Sequence, residues 1–102
     1  MTKGDLRGLM RKAEQLQAEV AAAERRLAEA RVEATSGGGV VKAVVNGHGE
    51  LVSLQISPEV VQPDGAEFLS DLLVAAVREA QRRARELAQQ ALAPFLPPGG
   101  SR

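Results

Sequence analysis

The stretch GGGVVKAVVNGHGELVSLQI, Gly37 to Ile56, decides the fold. Val40-Val41-Lys42-Ala43-Val44-Val45 is rich in β-branched residues, which suit a pleated surface and resist a helix, so it reads as a strand. Leu51-Val52-Ser53-Leu54-Gln55-Ile56 alternates, with Val52, Leu54 and Ile56 on one face, and reads as another. Between them, Asn46-Gly47-His48-Gly49 is a hairpin signal, because Asn-Gly readily takes the positive φ angles of a type I′ turn. Upstream, Gly37-Gly38-Gly39 makes a tight turn after Val32-Glu33-Ala34-Thr35-Ser36, a further short strand. The centre is therefore a three-stranded antiparallel meander.

On either side the period changes. Leu6, Leu9, Ala13, Leu16, Val20, Ala23, Leu27, Ala30 and Ala34 follow alternating steps of three and four, a heptad seam about four repeats long. If Val32 opens a strand, the helix ends near Ala30. Thr2 followed by Asp5 is a start signal of the capping-box kind. Lys12, Glu19 and Arg26 flank the seam on one side, Glu24 and Arg31 on the other. That regularity favours a helix that pairs with another over an ordinary surface helix. Downstream, Pro58 ends the last strand and Pro63-Asp64-Gly65 is a loop, with Asp64 as N-cap and Glu67 completing the box. A second helix runs from Ala66 to Leu92, with a wide apolar face that includes Leu69, Leu72, Leu73, Ala76, Ala80 and Ala84. Pro94 stops it. The expectation is one α+β domain over residues 1–93 and a mobile tail over 94–102.

The 102 residues include two phenylalanines (Phe68 and Phe95) and no Trp, Tyr or Cys. The core must be built from Ala, Val and Leu, and such a chain gains stability by burying surface against a second copy. Geometry points the same way. A six-residue strand is about 20 Å long, whereas thirty helical residues span about 45 Å. One small sheet cannot cover the first helix, so a homodimer is expected. Its candidate contacts are Leu6, Leu9, Leu16 and Val20 on the seam, with Val41 and Val45 on the sheet.

Little here suggests catalysis. His48 is the only histidine and sits at a hairpin tip, and a metal site would need further His or Cys ligands. The Gly37–Gly39 run lacks the Gly-Lys-Ser/Thr ending of a phosphate loop and leads into a strand, so no helix N-terminus faces a phosphate. No enzyme activity, cofactor, metal or small-molecule substrate is expected. The polar opening Met1–Met10 does not read as a secretory signal, and no run approaches the roughly 18 apolar residues of a membrane span. A cytoplasmic location with no membrane partner is expected.

Formal net charge is zero, but unevenly spread. Residues 1–12 carry Lys3, Arg7, Arg11 and Lys12 against Asp5, an excess of +3. Residues 72–85 carry Arg78, Arg82, Arg83 and Arg85 against Glu79, again +3. The middle, residues 34–65, sums to −2. Lys3, Arg7 and Arg11 recur every fourth residue along one face of the first helix, and Arg78, Arg82 and Arg85 run along the second. A solvated face with internal pairs such as Arg82 with Glu86 is the plainer reading. Arginine also suits phosphate, because its planar fork donates two hydrogen bonds at once. Without a base-reading motif or an aromatic stacking platform, any nucleic acid would be a duplex gripped by its backbone.

The run from Ser36 to Glu50 resembles the S-G-G-G-x-V-K-x-x-x-N-G-x-G-E core of the YbaB/EbfC family of bacterial nucleoid-associated proteins. Leu54 to Val61 is similar to its V-x-I-D-P-x-x-L segment, with Ser57 where Asp is usual. Phe68 to Val77 is similar to its L-x-D-L-I-x-A-A-x-N stretch, with Arg78 at the place where Asn is common. Leu9 to Gln17 resembles its M-K-Q-A-Q-x-M-Q helix. The resemblance covers residues 5–92. It implies a tweezer-like, nucleoid-located homodimer with a central sheet and protruding helices that bind duplex DNA and change its conformation. DNA contacts would then fall on the helices, by position on Arg7, Arg11 and Lys12 and on Arg78, Arg82, Arg83 and Arg85. The alternative is a helical scaffold or adaptor that binds another protein and not DNA.

Overall fold

A computed structural model describes residues 3–97, apart from the side chain of Lys3. Thr2 of the expected capping box, the Lys3 side chain of the basic stripe and tail residues 98–102 lie outside the described residues. The chain runs α1 (Lys3–Glu29), β1 (Val32–Ser36), β2 (Val41–Val45), β3 (Leu51–Ile56) and α2 (Ala66–Leu92). Single 3-10 turns occur at Gly37–Gly39, Pro58–Val60 and Ala93–Phe95. This is the expected α+β order, with an antiparallel sheet in sequence order β1-β2-β3.

The register follows from the two turns. Val32 pairs with Val45 and Ser36 with Val41 across β1 and β2, while Val41 pairs with Ile56 and Ala43 with Leu54 across β2 and β3. A bulge then leaves Val52 without a partner, since Val44 pairs with Ser53 and Val45 with Leu51. Directly opposed residues share a face, so Ile56, Leu54 and Leu51 continue the face of Val41, Ala43 and Val45. It is Leu51, beyond the bulge, that aligns with Leu54 and Ile56, where strict alternation had placed Val52.

Helix α2 lies across β1 and β2. Its small residues Ala76, Ala80 and Ala84, spaced one turn apart, are fully buried against Ala34, Val41, Ala43 and Val45. Alanines on the contact face let a helix come close to a sheet, which is how an aromatic-poor chain fills its core. Leu69, Leu72, Leu73 and Val77 pack at the margins. Two polar contacts pin the helix: Ser36 Oγ donates to the Leu72 carbonyl at 2.7 Å and Arg83 Nη1 to the Glu33 carbonyl at 2.9 Å. This packing corrects one expectation. Val41 and Val45 are 0% exposed within a single protomer, beneath α2, and so cannot reach a second copy.

Strand β3 is different, with all six residues exposed. Helix α1 is open over most of its length. Among its described residues it buries only Ala23 and Leu27, near its C-terminal end where it meets α2, and every residue from Leu9 to Glu19 is exposed. The described chain measures 74 × 29 × 16 Å with a radius of gyration of 20.5 Å, against about 13 Å for a compact domain of this length. The first helix is an arm.

Two local expectations change. The N-cap of α2 is Gly65, with no side-chain capping bond, so the Asp64–Glu67 box does not form. The β2–β3 turn is not type I′, because neither Asn46 nor Gly47 has positive φ. Gly49 alone supplies it, at φ 82°. Its N–H donates to the Asn46 carbonyl at 3.0 Å, and Asn46 Oδ1 accepts the N–H groups of His48 and Glu50.

Candidate nucleic-acid interface

The arm carries two opposite surfaces. At 3.6 residues per turn, Leu9, Leu16 and Val20 lie on one side of α1, with Arg7 and Arg11 on the other. Leu6, Leu9 and Leu16 are 50–57% exposed, and Val20 is half-buried where the helix approaches the fold. Arg7, Arg11 and Lys12 are all exposed, and none has a hydrogen bond or ion pair among the described residues. Lys12 sits beside the seam, not within the row. Arg25, absent from the residues expected from sequence, belongs to that row: it lies eighteen residues, or about five full turns, from Arg7. It too is exposed and unpaired among the described residues. A spacing of eighteen is the signal that points to it, but Arg25 falls outside the basic segment over residues 1–12.

The arginines of α2 divide into two kinds. Arg82 donates through Nε and Nη2 to Glu79, at 3.0 and 2.7 Å, and through Nη1 to Glu86 at 2.6 Å. Arg83 donates through Nε to Glu79 at 3.0 Å besides holding the Glu33 carbonyl. Hydrogen bonds from Arg82 and Arg83 pull the Glu79 carboxyl down to about 2, and the same carboxylate holds Arg82 above the usual arginine range. These four groups form an exposed, self-neutralised lattice of two positive and two negative charges. Arg78 and Arg85 are exposed and stand outside it. Among the described residues, the helix cations available to an external anion are thus Arg7, Arg11, Lys12, Arg25 and Arg26 on α1 and Arg78 and Arg85 on α2.

The remaining chemistry is sparse. His48 Nε2 lies 3.5 Å from Glu24 Oε1 of α1, so the turn histidine touches the arm. No group of three or more His, Cys, Asp or Glu that could hold a metal ion occurs among the described residues. Among those residues no buried side-chain nitrogen or oxygen lacks a hydrogen-bond partner, and no helix is long and apolar enough to cross a membrane.

A family model described as the YbaB/EbfC DNA-binding family matches residues 2–100. The chain belongs to that family. Among family relatives, a nucleoid-associated protein of Saccharopolyspora erythraea is 47% identical over 90 residues, covering 88% of this chain and 78% of its own. One from Chloroflexus aurantiacus is 44% identical over 89 residues, covering 87% and 89%. An uncharacterized protein of Helicobacter pylori, known from its crystal structure, superposes with a TM-score of 0.75 at 26% identity. That match covers 95% of this chain and 99% of the other. The YbaB/EbfC fold therefore extends across nearly the whole chain, including the exposed arm.

Proposed function

We propose that this chain acts as a nucleoid-associated homodimer that grips duplex DNA by its backbone with little sequence preference and alters its conformation. The observation that carries the reading is the two-sided arm: an apolar seam for protein contact and, opposite it, unpaired arginines free for phosphate. One surface can be used without blocking the other. The relatives' names support the nucleoid location, and nucleoid organisation, gene regulation or DNA protection are the roles in view. No catalytic step is part of the proposal. For the dimer, the support lies in apolar surface that one protomer leaves open: Leu6, Leu9 and Leu16 on the arm and Leu51, Leu54 and Ile56 on β3. Strand β3 also presents an unpaired edge, which in a soluble protein is normally covered or paired. It replaces β2 as the sheet's contribution to the interface.

The test is a fluorescence-anisotropy titration of a labelled duplex across a salt series, alongside light scattering. A dimer whose affinity falls steeply with salt is expected. A stable monomer at micromolar concentration refutes the dimer. No binding to any duplex at low salt refutes the DNA reading and favours the adaptor.

A further inference from the structure

The β2–β3 turn does more than reverse the chain. The Gly47 N–H donates to the Leu27 carbonyl at 2.7 Å, satisfying one of the last carbonyls of α1. His48 meets Glu24 one turn further along the same helix. On the other side, Gln81 Nε2 of α2 donates to the Gly49 carbonyl at 3.1 Å. Asn46, only 8% exposed, braces the turn from within through its bonds to His48, Glu50 N and the Glu50 carboxylate. One turn therefore ties both helices together at the root of the arm. The only covalent tether there is the short link from Glu29 to Val32.

We infer that this turn is the joint that sets the angle of the α1 arm, with Gly47 and His48 as positioning residues for the DNA grip. Gly47 is the tightest point of the joint. A Cβ there would stand 2.6 Å from the Leu27 carbonyl oxygen and 2.8 Å from Leu27 Cα, both backbone atoms that cannot rotate away. Restoring ordinary contact at 3.4 Å needs a displacement of 0.8 Å. If the helix pivots on buried Ala23, about 6 Å along its axis, Met10 at about 20 Å on the far side moves by about 3 Å. The spacing of the basic rows is thus governed by a residue that would touch no DNA. This consequence rests on the proposed DNA reading; the joint itself does not.

The chain has no cysteine, so spin labels at Met10→Cys and Thr35→Cys, both exposed sites, report the arm against the sheet. Labelled protomers are diluted into unlabelled ones so that only distances within a protomer are read. Gly47→Ala is expected to shift the mean distance by about 3 Å. Gly8→Ala, whose added methyl meets nothing within 4 Å, leaves it in place. A Gly47→Ala distribution that superimposes on wild type, in a protein that still unfolds cooperatively, overturns the joint. Should Gly47→Ala not fold, Asn46→Ala is read instead: a broadened distribution supports the joint and an unchanged one overturns it. Duplex affinity is measured on the same samples. A moved arm in a protein whose wild type binds no duplex leaves the joint standing and refutes the DNA reading. A fixed arm with intact binding does the reverse.

Discussion

Replacing Arg7 and Arg11 with alanine together is the sharpest test of how the arms would hold a duplex. Both side chains are exposed, unpaired among the described residues and opposite the apolar seam, so their loss removes charge without disturbing packing. Alanine also favours the helix. With one phosphate neutralised per arginine, two arginines per arm and two arms, four contacts vanish, and the slope of log affinity against log salt becomes shallower by about 3.6. Over a fourfold rise in salt this amounts to about 150-fold less loss of affinity than wild type shows. At low salt the variant is the weaker binder; as salt rises the two curves converge.

The comparison that gives this number meaning is Glu79→Gln with Arg82→Gln. It removes one charge of each sign from the α2 lattice, where Arg82 is already committed to Glu79 and Glu86. Its salt slope should stay within about one unit of wild type. Anisotropy titrations at four or more salt concentrations supply both slopes. An unchanged slope in the Arg7/Arg11 variant means that the arm does not grip phosphate. A large change in the Glu79/Arg82 variant means that Arg82 grips phosphate in spite of its pairing with Glu79 and Glu86.

Other expectations can be checked separately. Leu54→Lys sits on a strand 38% exposed at that position in one protomer, so it should leave the fold intact while light scattering reports a monomer; a persistent dimer would move the interface wholly onto the arm seam. Ala80→Leu forces extra volume between α2 and the sheet where Ala80 is 0% exposed; it should destabilise the protein by about 1–3 kcal/mol, and an unchanged midpoint in urea would show that α2 does not pack tightly on the sheet. Glu79 should titrate near 2, below its ordinary 4.5, in a carboxyl-detected NMR series. Because its folded value is depressed, the stabilisation from its arginine bonds is fully present above the ordinary carboxylate range and disappears only as pH falls through the folded value. A midpoint near 4 in that series would contradict the lattice.

The elements of this fold are legible in the sequence because its periods are pure: steps of three and four in the helices, β-branched runs in the strands, Gly and Pro at the breaks. What the periods cannot say is which face of a sheet is covered, and how far. Val41, Ala43 and Val45 share a face with Leu51, Leu54 and Ile56, and sequence treats the two sets alike. A helix is about 10 Å across and strands stand about 4.8 Å apart. A single helix centred between β1 and β2 therefore buries those two strands and leaves the third open. That geometric limit turns β2 from a candidate dimer surface into core and leaves β3 as the exposed strand of the sheet. Charge shows the same gap between pattern and neighbourhood. The window over residues 72–85 sums to +3 only because it stops one residue before Glu86, which with Glu79 occupies two of the four arginines. The spacings of three and four that link Glu79, Arg82, Arg83 and Glu86 are themselves a sequence signal for those pairs. No such signal exists for Gly47, whose partner Leu27 is twenty residues away. A turn motif explains a glycine by its backbone angles, yet here Gly49 takes the positive φ, while Gly47 is required by the closeness of another helix.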